Sequence, residues 1–240
     1  MYIRFKLFIK ILFYHKPIIW PILETIQGLI YALKYFYYYK FLKGEKGMSI
    51  KEVNIEFSSQ CNLRCQFCSL DHLKPKHLIT PEIMEKFLVG FIDDKRYKSI
   101  KRINLYNGGE VLLHPKRLEM LAVLKKYKDL AKQQGKHFPE IHMLTNLVLL
   151  REKLAVQIID MDVVDLLGIS FDGGNPEAFE EMRVNAKWDI FYENAKAFDR
   201  IRKEKSSKVK MTAISCIPGD KPRSLDWMHP QFQEIYKLLD

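Results

Sequence analysis

A chain of 240 residues, 48% hydrophobic and 28% charged, has the composition of a folded protein with a packed core, which excludes a disordered chain and a cysteine-stapled miniprotein. The formal charge is +10, but residues 1–46 hold eight basic and two acidic side chains, leaving only +4 for the other 194 residues. A charge concentrated at one end does not describe a nucleic-acid groove, and no nucleic-acid partner is expected.

Residues 1–47 read as a separate basic, aromatic leader with its linker. Its first stretch interleaves Tyr2, Phe5, Leu7, Phe8 and Phe13 with Arg4, Lys6 and Lys10. Pro17 and Pro21 interrupt it, and a second stretch over residues 22–42 ends in the aromatic run 35–39. Glu24, Gln27 and Lys34 break that stretch, so no clean span of about 20 apolar residues is present and a transmembrane helix is disfavoured. Two readings stay open. One is an interfacial segment on a membrane, with basic groups among the headgroups and Phe, Trp and Leu at the acyl boundary. The other is a helical pair packed on the main domain. Residues 44–47, Gly-Glu-Lys-Gly, mark the linker.

From residue 48 to 240 short apolar runs alternate with helical patterns. Strands are expected over residues 53–57, 103–106, 141–144, 166–171 and 209–217. Helices are expected to open at Pro81, Pro115 and Pro176, because proline suits the first helical position, and one more over residues 230–239. Alternating strands and helices imply an α/β fold with a parallel sheet, here a partial TIM-type (β/α) barrel with its site at the C-terminal ends of the strands.

Three of the four cysteines fall just after the first strand, as Cys61-x3-Cys65-x2-Cys68; Cys216 stands apart and reads as a small buried hydrophobe. A cluster this tight suits metal ligation in a reducing compartment rather than a disulfide framework. Three thiolates on one loop can hold three irons of a cubane cluster and leave the fourth open. Alternatively, His72 can complete a Cys3His zinc tetrahedron. Asn107-Gly108-Gly109-Glu110 follows the second strand, with glycines that permit close backbone approach and a carboxylate acceptor.

Together these residues resemble the radical S-adenosylmethionine superfamily. Cys61-x3-Cys65-x2-Cys68 matches its signature, and residues 108–115, Gly-Gly-Glu-Val-Leu-Leu-His-Pro, are similar to its second motif. Thr145-Asn146 resembles its Thr-Asn-Gly turn, with Leu147 in place of the glycine. Residues 169–173, Ile-Ser-Phe-Asp-Gly, and the following Glu181-Met182-Arg183 resemble its fourth-strand phrases. The match covers roughly residues 50–220.

The resemblance implies that Cys61, Cys65 and Cys68 ligate a [4Fe–4S] cluster whose open iron chelates S-adenosylmethionine. It places Phe67 near the adenine, and Gly108, Gly109 and Glu110 at the methionine ammonium. Ser170, helped by Asn146, would reach the ribose, and Arg183 would face the methionine carboxylate. The implied activity is reductive cleavage to a 5′-deoxyadenosyl radical that abstracts hydrogen from an unidentified substrate, with a ferredoxin- or flavodoxin-like electron donor. A zinc protein would account for the triplet and His72 but not for residues 108–110 or 170–173.

The family barrel has six strands, and five are expected here. A truncated, non-catalytic module that needs a partner is therefore the alternative to an active enzyme. The expected location is cytoplasmic, with contact to the inner face of the membrane through residues 1–46 if the interfacial reading holds.

Overall fold

The computed structural model describes residues 19–41, 50–93, 97–216 and 225–240. The chain divides into two units, residues 1–49 and 50–240. The expected first leader stretch, the Gly-Glu-Lys-Gly linker and the last residue of the expected fifth strand, Ile217, lie outside the described residues.

Helix α1 (Ile19–Phe41) is the described part of the first unit. It starts before Pro21 rather than after it. Proline in a first turn removes an N–H that has no intrahelical acceptor, so the helix runs through it. No described helix is long and apolar enough to cross a membrane.

The second unit is built on a five-stranded parallel sheet of β1 (Glu52–Asn54), β3 (Arg102–Asn104), β4 (Glu140–Thr145), β5 (Leu166–Ser170) and β7 (Lys210–Ile214), in that spatial order. Helices α2 (Pro81–Asp93), α3 (Arg117–Gln133), α4 (Glu152–Asp160), α5 (Pro176–Met182), α6 (Trp188–Glu204) and α7 (Pro230–Leu238) alternate with these strands. Each crossover places the next parallel strand beside the last, which gives a partial barrel with edges at β1 and β7. A separate antiparallel pair, β2 (Arg64–Cys65) with β6 (Arg183–Val184), was not expected.

The proline signals mark two starts well. Pro81 opens α2, and Pro176 opens α5 behind Asn175, whose side chain accepts the Ala178 N–H at 2.8 Å. Pro115 does not open α3. The chain first makes a 3-10 turn over Val111–Leu113, and His114 Nδ1 then accepts the Lys116 N–H at 3.1 Å, which holds the backbone in a turn until Arg117.

Aromatic packing ties α5, α6 and α7 to the end of β5. Phe171 lies 4.4 Å from Phe232 and 5.6 Å from Phe191 between ring centroids, and Trp188 lies 4.3 Å from Phe232. At the outer edge of β7, the Asp240 N–H donates to the Met211 carbonyl at 2.9 Å and its carboxylate accepts the Met211 N–H at 2.6 Å. Arg202, buried beside Asp199, reaches the same carboxylate.

Leu147, which stands where the similar family turn has glycine, is fully buried at φ 66°. A leucine there stores left-handed strain while filling the core. Leu147→Gly should relieve about 1 kcal/mol of strain but forfeit about 3 kcal/mol of packing. A net loss near 2 kcal/mol is expected in denaturant titration, and a gain in stability would contradict this reading.

Candidate active site

Because β1, β3, β4 and β5 are parallel, the segments that follow them emerge at one end of the sheet. The segment after β1 carries the three cysteines. Cys61 and Cys65 are partly buried, and Cys68 is exposed. The Cys61 sulfur accepts the Leu63 N–H at 3.5 Å and the Cys68 sulfur accepts the Leu70 N–H at 3.4 Å. Burial pushes the Cys61 thiol up against the Leu63 N–H, and it pushes the Cys65 thiol up against the Arg183 guanidinium. Ligation of a metal by these sulfurs would thus release protons.

Among the described residues no three His, Cys, Asp or Glu side chains converge on a single-ion site. The His72 imidazole is held toward its neutral form by desolvation and then by Arg64 and Lys76, so its charged neighbours are mainly cations.

The second motif packs directly onto the cysteine loop. A β-carbon at Gly109 would lie 1.8 Å from the Ser58 carbonyl oxygen and 2.7 Å from that of Gln60, so only glycine fits. The Glu110 N–H donates to Gln60 O at 2.7 Å. The Gly108 and Gly109 N–H groups are both taken by Glu56 Oε1, at 2.7 and 2.9 Å. The close approach read from the two glycines is therefore made, at Gly109, to the cysteine loop itself.

Glu110 is buried, and its carboxylate accepts Thr145 Oγ1–H at 2.7 Å, Asn146 N–H at 2.8 Å and Leu112 N–H at 3.1 Å. Burial pushes this carboxyl up from its ordinary range, opposed by those donors. Asn146 continues the chain of contacts: its side-chain N–H donates to Asn62 Oδ1 at 2.9 Å, with Cys61 Sγ at 4.0 Å, and its own Oδ1 accepts Val148 N–H at 3.1 Å. The amide expected at a ribose is committed here to the cysteine loop.

The fourth phrase supplies Ser170, half-buried at the end of β5, and Asp172, which is 1% exposed. Asp172 pairs with Arg183 through both Nε and Nη2, and it also accepts the Cys216 N–H. Arg183 is not on a helix surface. It pairs in register with Cys65, turns Nη1 toward Cys65 Sγ at 3.7 Å, and lies over the Phe67 ring at 5.5 Å. Phe67 itself is 48% exposed. Cys216 is exposed rather than buried, because β7 ends at Ile214 and leaves it outside the ladder.

The structure thus brings Cys61, Cys65, Phe67, Gly109, Glu110, Asn146 and Arg183 into one connected network. Sequence reasoning missed Glu56, Asn62 and the pairing role of Asp172. Their signal was weak: an isolated carboxylate or amide beside a strand end is common, and only the tertiary fold shows which N–H it meets.

Residues 55–227 match the family model of the radical SAM superfamily, and the chain belongs to that superfamily. It is 22% identical over 183 residues to a probable GTP 3′,8-cyclase of Methanococcus maripaludis, covering 75% of this chain and 56% of that protein. It is 29% identical over 133 residues to a serine-type anaerobic sulfatase-maturating enzyme of Bacteroides thetaiotaomicron, covering 52% of this chain and 30% of that protein. The chain thus spans about half of the first relative and less of the second. SuiB of Streptococcus suis, solved bound to S-adenosylmethionine, superposes with a TM-score of 0.59 at 17% identity, over 82% of this chain and 40% of that one, a likeness of fold.

Two substitutions test the network. Gly109→Ala should leave helical content intact by circular dichroism yet lower the iron retained after anaerobic reconstitution at least fivefold; wild-type iron content would contradict the close-contact reading. Asp172→Ala should cost about 3–5 kcal/mol in denaturant titration by stranding the Arg183 charge, and the double change Asp172→Leu/Arg183→Met should cost less. A single-variant loss below about 1 kcal/mol would show the pair to be dispensable.

Proposed function

We propose that the chain is a [4Fe–4S]-dependent enzyme that cleaves S-adenosylmethionine reductively and takes a hydrogen atom from a substrate C–H bond. The observation that carries this reading is that the segments following β3, β4 and β5 are bonded onto the cysteine loop, through Glu110 to Gln60, Asn146 to Asn62 and Arg183 to Cys65.

The donor set fits the cluster. Three thiols sit on one short loop, and thiolate is the ligand such clusters require. When bound, the cluster supplies the electron that splits the sulfonium into methionine and a 5′-deoxyadenosyl radical. In this reading Cys61, Cys65 and Cys68 hold it. The methionine ammonium needs about three acceptors. Glu110 already spends three of its acceptor positions inside the protein, so the carbonyls of Gly108 and Gly109 share that task with it. Arg183 keeps N–H groups beyond those on Asp172 and Cys65, which suit a carboxylate. The half-exposed Phe67 ring offers an apolar face for adenine, and the Ser170 hydroxyl stands at the strand end for the ribose. The electron would come from a ferredoxin- or flavodoxin-like donor in a reducing compartment. The substrate stays unassigned.

The test is anaerobic reconstitution followed by reduction with excess S-adenosylmethionine. The wild-type chain should release 5′-deoxyadenosine and methionine, and Cys65→Ala should release neither and bind less iron. A chain that needs a partner would bind iron and S-adenosylmethionine without releasing 5′-deoxyadenosine. Undiminished 5′-deoxyadenosine from Cys65→Ala, or stoichiometric zinc without iron, would contradict the proposal.

A further inference from the structure

The exposed aliphatic residues of α1 form one stripe, while Tyr31, Tyr35 and Tyr39 lie outside it. Ile22, Ile26, Leu29, Ile30, Leu33 and Phe36 recur at intervals of one, three or four, which is a single helical face. All six are between 47% and 61% exposed. Glu24, Gln27 and Lys34 project away from that stripe, at helical positions roughly opposite or beside it. The C-terminal half adds two aromatic pairs on roughly opposite sides of the helix, Tyr37 against Phe41 at 5.5 Å beside the stripe and Tyr35 stacked on Tyr39 at 6.2 Å away from it, with Lys40 in the last turn.

We infer that α1 is a docking element for an anionic lipid surface, lying in the plane of the headgroups with its apolar stripe inserted. Charge decides between occupants. Residues 1–46 carry eight basic and two acidic side chains. Two copies of such a segment repel one another, whereas a bilayer rich in anionic headgroups attracts each of them. The helix is about 35 Å long, but its polar side chains keep it from crossing, in keeping with the absence of a membrane-crossing helix among the described residues. Tyrosine suits this depth, since its ring is apolar and its hydroxyl remains at the wet boundary. Arginine and lysine can extend their stems along the acyl boundary and keep their charges outside.

The inference does not rest on the chemistry of the cysteine site, and its test is separate. The full-length chain is floated with vesicles of phosphatidylcholine alone and of phosphatidylcholine with 30% phosphatidylglycerol. The wild type should float with the anionic vesicles at least tenfold better than with the neutral ones, and 0.5 M salt should remove most of the difference. Leu29→Gln/Leu33→Gln should lower flotation at least tenfold without any change of charge. Gln27→Asn, off the stripe, should change it less than twofold. Lys34→Gln/Lys40→Gln should weaken binding to the anionic vesicles alone, by roughly fivefold per lysine. Circular dichroism and iron content equal to wild type show that each variant is folded. Failure of the wild type to float would overturn the inference. So would equal flotation of the Leu29/Leu33 variant, or a dimer in light scattering that the same variant dissolves.

Discussion

Gly109 passes so near the cysteine loop that a β-carbon would meet the Ser58 carbonyl oxygen at 1.8 Å. That contact fixes where the second motif can sit. With it in place, the Glu110 N–H meets the Gln60 carbonyl, and the Glu110 carboxylate turns inward to Thr145 and Asn146. Asn146 then reaches back to Asn62, three residues before Cys65. A closed set of contacts therefore links the ends of β1, β3 and β4, and each depends on the glycine that lets two backbones touch. Glu56 completes it by accepting both glycine N–H groups, which would otherwise be left without a partner in a crowded turn.

A second brace acts from the other side. The Arg183–Asp172 pair is buried, and a buried pair is costly to desolvate. Its value is positional: one guanidinium is held against a carboxylate at the end of β5, a thiol on the cysteine loop and the Phe67 ring. Asp172 also accepts the Cys216 N–H, so the same carboxylate ties the end of β5 to the end of β7. The aromatic cluster around Phe171 keeps that strand end from moving away. The cysteine loop is thus held by two independent devices, one of close backbone contact and one of buried charge.

Much of this was legible from residue patterns. All five parallel strands overlap the expected apolar runs, with ends that differ by a few residues. Pro81 and Pro176 mark helix starts because their effect is local. Pro115 misleads because the neighbouring His114 ring caps its own turn, an interaction that no spacing rule reveals. The β2–β6 pair escaped notice because two-residue strands have no periodicity to detect. The burial of Arg183 was not legible because it comes from pairing with a segment more than a hundred positions away. The cysteine triplet and the double glycine were legible because their chemistry tolerates few substitutes, whereas Glu56 and Asn62 act through geometry alone.

The two units pose different physical problems. The core buries the Arg183–Asp172 pair beside one loop, while α1 presents an apolar stripe within a leader that carries a surplus of positive charge. The central claim concerns the loop: three thiolates there hold a cluster whose open iron receives S-adenosylmethionine. Electron–nuclear double resonance on the reduced, reconstituted chain tests it directly, using S-adenosylmethionine labelled with 15N at the methionine amino group. The account predicts an electron-paramagnetic signal from the cluster that changes on addition and shows hyperfine coupling to the labelled nitrogen. A cluster signal indifferent to S-adenosylmethionine, with no nitrogen coupling, would contradict it.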